Sequence, residues 1–295
     1  MRTLHHHVVL ATAVLLACAE RPKPEARMTS NVADASQALA AENGISNNGI
    51  SNNGLAAWGL YDGPGQAQFD AWYLQDPAFA EMVMTYAVRC ALYEGDSTSY
   101  VDPRTGEEHV WWGKLGLAPG WGPGAPGEYG EQIVTACMAS LTNRYGQHVP
   151  VSLQGRSETG QDIPLEPGEL SSYSFTEGCF FGNLFRGQGV HAGLDHGALP
   201  PTASSLRACA LDPAANGTSI PCAPVLQIGA CADACSRASP TAYASCTYGG
   251  RTYAAITTRL RPGEIATCGD GVCQAPERCG ATTSPDACAD CGPCP

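Results

Sequence analysis

The segment His191-Ala-Gly-Leu-Asp195-His196 sets two imidazoles and a carboxylate within six residues, groups that can hold a metal ion and activate water. Gly193 and Gly197 place this cluster in a loop rather than on the helix that aligns a HExxH pair. Trp111, Trp112 and Trp121 flank a loop rich in Gly and Pro (113–127), with Tyr129 close behind. Indoles on a rigid loop can stack on sugar rings or anchor a protein partner at small entropic cost, and they can equally fill a core. Asp270, Glu277, Asp286 and Asp290 crowd the C-terminal residues beside one cation, Arg278. Hard oxygens held close suit Ca2+, and the same charges also suit a solvated surface. A Cys137–His148 nucleophile pair requires a thiolate, which a disulfide cysteine cannot supply. A GxSxG elbow and the GxxxxGK[ST] run of a phosphate-binding loop do not occur in the sequence.

The elements that must position these groups begin with an address. In MRTLHHHVVLATAVLLACAE, Arg2 precedes an apolar stretch from Val8 to Ala17, the length of an export signal's hydrophobic region. A membrane-spanning helix needs roughly 20 apolar residues, more than this stretch contains. Its end, Leu15-Leu16-Ala17-Cys18, resembles the lipobox of bacterial lipoproteins. The resemblance implies cleavage before Cys18, acylation of that cysteine by palmitate-type chains, and attachment to a membrane. Several acyl chains give stable anchoring where one is marginal. Ala19, in place of an aspartate, implies sorting to the outer membrane of the cell envelope.

The chain has 15 cysteines, a number suited to an oxidising compartment. With Cys18 reserved for lipid, eight lie between Cys90 and Cys246 and six between Cys268 and Cys294. Both sets are even, so each can pair within its own module. The connectivity stays open, because the sequence alone does not select among the many pairings. The C-terminal module has few aliphatic side chains, so covalent links must offset its chain entropy.

We divide the chain into a signal peptide (1–17), a lipid anchor and flexible linker (18–57), a body (58–260) and a cysteine-rich C-terminal module (261–295). The linker contains Asn43-Gly-Ile-Ser-Asn-Asn-Gly-Ile-Ser-Asn-Asn-Gly-Leu55, which is similar to NGIS-type repeats of bacterial surface proteins. Two and a half such repeats are too few to stack into a β-helix. As a flexible chain, the linker has a root-mean-square span of roughly 35 Å. In the body, Asp76-Pro77 opens a helix whose Phe79, Met82, Val83, Tyr86, Ala87 and Cys90 share one face. A second helix is expected over 129–145, with Ile133, Val134, Cys137, Met138, Leu141 and Tyr145 in the same rhythm. Both bury a cysteine, and a Cys90–Cys137 bond is the simplest link between them. Residues 97–112 read as a hairpin turning at Asp102-Pro-Arg-Thr-Gly106, and 149–153, 173–185 and 253–260 as strands. Residues 209–246 read as cross-linked loop. The expected fold class is α+β: a disulfide-rich body with two amphipathic helices and short antiparallel strands, followed by a small C-terminal disulfide knot.

That knot carries Cys268-Gly-Asp-Gly-Val-Cys273 and then Cys279, Cys288, Cys291 and Cys294. It resembles short CGDGVC modules at the ends of secreted bacterial and archaeal proteins, with a different spacing to the last three cysteines. The resemblance implies a small disulfide unit without chemistry of its own. Cys288-x2-Cys291-x2-Cys294 lacks the fourth ligand of an iron–sulfur run. Cys231-x3-Cys235 could ligate zinc, although an oxidising compartment favours disulfides.

Composition sets the outer bounds. With 295 residues, 15% of them charged, the chain is neither coiled coil nor wholly disordered. A net charge of −12 and the lack of a basic stripe exclude nucleic acid as the expected partner. No cofactor is expected apart from Ca2+ in the C-terminal module. We therefore expect a membrane-anchored lipoprotein acting as a non-enzymatic surface binding, adhesion or envelope-structural protein, with an extracellular protein or glycan as ligand. The alternative is a metal-dependent envelope hydrolase built on His191, Asp195 and His196.

Overall fold

A computed structural model describes residues 45–46, 66–143, 149–195, 203–205, 225–273, 278–279 and 287–293. The signal peptide, Cys18, His196, Glu277 and Asp286 lie outside the described residues, as does His148. Helices and strands are intermixed. The helices are α1 (Gln66–Tyr73), α2 (Pro77–Ala91), α3 (Glu128–Ser140) and two single turns, α4 (Glu169–Ser172) and α5 (Cys231–Ala234). The strands are β1 (Ile45–Ser46), β2 (Ser97–Val101), β3 (Glu108–Trp112), β4 (Thr142–Asn143), β5 (Val151–Gln154), β6 (Phe175–Gly182), β7 (Val190–Leu194), β8 (Ala203–Ser205), β9 (Val225–Ala230), β10 (Cys235–Ser239), β11 (Ala242–Tyr248), β12 (Arg251–Leu260), β13 (Ile265–Thr267), β14 (Arg278–Cys279) and β15 (Ala287–Cys288).

Helix α2 starts where its capping chemistry requires. The Asp76 carboxylate accepts from the Phe79 N–H at 3.1 Å, with Pro77 as the next residue. Val83, Tyr86, Ala87 and Cys90 are buried as the periodicity requires, but Phe79 and Met82 are only partly covered. A second buried line, Ala80, Met84, Val88 and Ala91, arises because α2 packs against α3 and also against β3 and α1. Helix α3 is buried on every side from Gly130 to Ser140. It ends before the expected Tyr145. The Ser140 hydroxyl donates to the Cys137 carbonyl at 2.7 Å and the Thr142 hydroxyl to that of Met138 at 3.0 Å, so side chains take the last acceptors and the chain turns into β4. Strand β4 pairs in parallel with β1, a two-residue stretch of the expected linker.

The main sheet runs β10-β11-β12-β6-β7-β9, with β5 sharing an edge of β12 with β11. Its pairings are antiparallel except β7 with β9, so the sheet is mixed rather than purely antiparallel. Helix α3 lies across β6 and β12. Phe180, Ala254 and Ile256 point into the core beneath α2 and α3, whereas Phe181, Cys179, Tyr253 and Ala255 point into a second cluster on the opposite face with Cys231, Tyr243 and Cys246. Burial on both faces explains the unbroken apolar runs of β6 and β12.

Five disulfides join ten described cysteines: Cys90–Cys137, Cys179–Cys231, Cys235–Cys246, Cys268–Cys288 and Cys273–Cys291. The first ties α2 to α3, as expected. None of the five crosses between the body set and the C-terminal set. Strand β13 pairs with β8, so Ile265–Thr267 dock on the body ahead of Cys268.

Candidate functional site

Strands β2 and β3 form the expected hairpin. The Asp102 carboxylate closes its turn by accepting from the Arg104 N–H at 2.7 Å and from the Arg104 guanidinium at 2.9 Å. These bonds hold the carboxyl down at about 2. Gly106, at φ +74°, supplies the left-handed position of the turn. Alternation then sorts the two faces. Thr98, Tyr100 and Trp111 are buried against α1 and α2, with His109 partly covered beside them. Phe69, Tyr73, Tyr100, His109 and Trp111 form a ring cluster there, with stacked, edge-on and tilted pairs at 4.6–6.4 Å between centroids. Glu81 of α2 anchors it, accepting from Trp111 Nε1 at 2.9 Å and from the Tyr73 hydroxyl at 3.1 Å, with His109 Nδ1 3.4 Å away.

The outer face carries the cross-strand pairs Ser97–Trp112, Ser99–Val110 and Val101–Glu108. Here Trp112 is 62% exposed, Val101 54% and Val110 43%. The hairpin thus presents an open indole beside two serines, held on a rigid, aromatic-backed support.

Trp111 and Trp121 do not join it. Trp111 faces inward onto Glu81, and Trp121 is wholly buried, edge-on to Phe185 at 4.9 Å. The alternation of β3 separates Trp111 from Trp112. The short turn Pro119–Trp121 folds Trp121 into the core.

Comparison with protein-family models, curated proteins and solved structures finds no match to this chain.

His191 does not lie in a loop but on β7, whereas Asp195 lies in the bend that immediately follows that strand. Each is committed to separate surroundings. The His191 ring is buried among Phe181, Tyr248 and Tyr253, at 4.5–6.1 Å between centroids, and burial pushes its pKa down. The Asp195 carboxylate accepts from the Tyr243 hydroxyl at 2.7 Å and from Arg237 at 2.6 Å. Burial, and then this bond to Asp195, push Tyr243 up to about 12. The Arg237 guanidinium also stacks on the Tyr243 ring at 4.1 Å. The sequence did not single out these partners, because Arg237 on β10 and Tyr243 on β11 fall within the region read as loop.

In the C-terminal module, Asp270 accepts from the Val272 N–H at 2.8 Å and locks a backbone turn, while Asp290 accepts from the Gly269 N–H at 2.6 Å and ties the two ends of the module together. Among the described residues, two groups of His, Cys, Asp or Glu lie close enough to share an ion: Cys179, Cys235 and Cys246, and Cys268, Cys288 and Asp290. All five cysteines are in disulfides, whose sulfurs are not thiolate ligands. A separate cleft of about 390 Å³ is lined by Tyr129, Arg156, Asp162, Leu165, Ser239 and Tyr243 among others, with the Arg156–Asp162 ion pair at 2.9 Å.

Proposed function

We propose that the protein is an exported, lipid-anchored envelope protein that binds a glycan through the outer face of the β2–β3 hairpin. Cys18 is its anchor and the outer membrane its location. The C-terminal module is a small disulfide knot without chemistry of its own. The observation that carries the binding role is Trp112: its indole stands open while Trp111, one residue away, is locked inward. Sugar rings present a flat C–H face that stacks on an indole, and the hydroxyls of Ser97 and Ser99 stand beside it to bond ring oxygens and hydroxyls. A protein partner calls for roughly 20–30 residues a side. The hairpin offers six, the size of a sugar subsite.

The test is retention of the full-length protein on insoluble β-linked polysaccharides, peptidoglycan and chitin, with the Trp112→Ala variant alongside. Retention of the wild type and loss in the variant, with unchanged melting, is the expected result. Equal behaviour of the two proteins on every polysaccharide contradicts the proposal. For the anchor, incorporation of labelled fatty acid should disappear in Cys18→Ser.

A further inference from the structure

Beneath the sheet, on the face opposite α3, two disulfides touch. Cys179–Cys231 links β6 to α5, and Cys235–Cys246 links the directly opposed positions of β10 and β11. The Sγ atoms of Cys179 and Cys235 are 3.5 Å apart, and those of Cys179, Cys235 and Cys246 all lie within 4.8 Å of one another. Both cysteines of the close contact are oxidised, so neither carries a proton and the approach is a direct sulfur–sulfur contact. Gly193 makes the room: a Cβ there would come within 3.0 Å of both Cys179 Sγ and Cys231 Sγ. The four sulfurs differ in access. Cys179, Cys231 and Cys246 are buried, whereas Cys235, on the terminal strand of the sheet, is partly exposed. The Cys235–Cys246 bond also closes the shorter ring, a separation of 11 residues against 52, and so gains less from loop closure.

We propose that these four cysteines form a thiol–disulfide exchange site, opened by a dithiol reductant at Cys235 and relayed to the buried Cys179–Cys231 bond. The reductant's first thiolate attacks Cys235 Sγ, the Cys235–Cys246 bond breaks, and Cys246 leaves as a thiolate that takes up a proton. The second thiol of the reductant closes on the first. The reductant departs as a disulfide, two electrons have entered the protein, and Cys235 is a thiolate. That thiolate lies within the roughly 3–3.5 Å of a near-attack position on Cys179 Sγ. Its attack forms Cys179–Cys235 and breaks Cys179–Cys231. Cys231 takes over the negative charge and then a proton from water, replacing the one that the reductant's second thiol released. This second step involves no net oxidation. It moves the opening from the sheet edge to the tie between β6 and α5.

The experiment is graded reduction of the full-length protein with dithiothreitol, acid quenching, alkylation of the thiols and mapping of the linked peptides by mass spectrometry. The expected two-electron-reduced species carries a Cys179–Cys235 linked peptide, with Cys231 and Cys246 alkylated and Cys90–Cys137 intact. In Cys235→Ser, alkylation of Cys231 at the same reductant level should be lost. Alkylation confined to Cys235 and Cys246, with Cys179–Cys231 intact throughout, overturns the relay. So does Cys231 alkylation that persists unchanged in Cys235→Ser. The wild-type map decides the matter alone should the variant not fold.

Discussion

Trp112 and Trp121 make opposite demands on a mutation. Trp121 fills the core beside Phe185, so Trp121→Ala should cost about 3–5 kcal/mol in urea unfolding. Trp112→Ala removes an exposed ring and should stay within about 0.5 kcal/mol of the wild type while abolishing glycan retention. His191 makes a pH-dependent demand. Burial depresses its pKa in the folded chain below the ordinary value of 6.5, so the unfolded chain binds more protons as pH falls through that value. The stability contributed by keeping the ring neutral is complete above pH 6.5. It is lost as pH falls toward the depressed folded value. Thermal melting from pH 8 to pH 5 should show that decline, and His191→Phe should flatten it. A decline of equal steepness in both proteins would assign it to other groups.

At the scale of elements, a single side-chain bond sets the start of α2. Asp76→Ala should cost about 1 kcal/mol, read as a lower urea midpoint with an unchanged slope, because it strips the acceptor from the Phe79 N–H. This cap, the hairpin and the Cys90–Cys137 link were legible because each is local or rests on strong periodicity. The end of α3 was not, since the apolar rhythm runs on to Tyr145 while the Ser140 and Thr142 hydroxyls capture the final carbonyls. Strands β7, β9, β10 and β11 were hidden for another reason. Their Gly, Ala, Ser and Cys residues have weak strand preference, and the sheet recruits them through long-range pairing and disulfides. The site was half legible: the sequence singled out the tryptophans, but only the alternation of β3 decided which of them faces outward.

At the scale of the whole molecule, five disulfides among the described residues add covalent closure to the buried core. The Cys90–Cys137 and Cys179–Cys231 rings, at separations of 47 and 52, each contribute about 4 kcal/mol by loop-closure entropy, and the shorter rings, at 11 to 20, about 3 kcal/mol. Such reliance on disulfides fits a chain matured outside the reducing cytosol. It also fits an even partition of cysteines between the body and the C-terminal module once Cys18 is reserved for lipid. The most direct measurement is peptide mapping of the native membrane-extracted protein, alkylated before any reduction. The expected map holds no alkylated cysteine, the five bonds described above, and no linked peptide joining the Cys90–Cys246 set to the Cys268–Cys294 set. Abundant alkylation at any of these positions in native material, or a bond between the two sets, would contradict it.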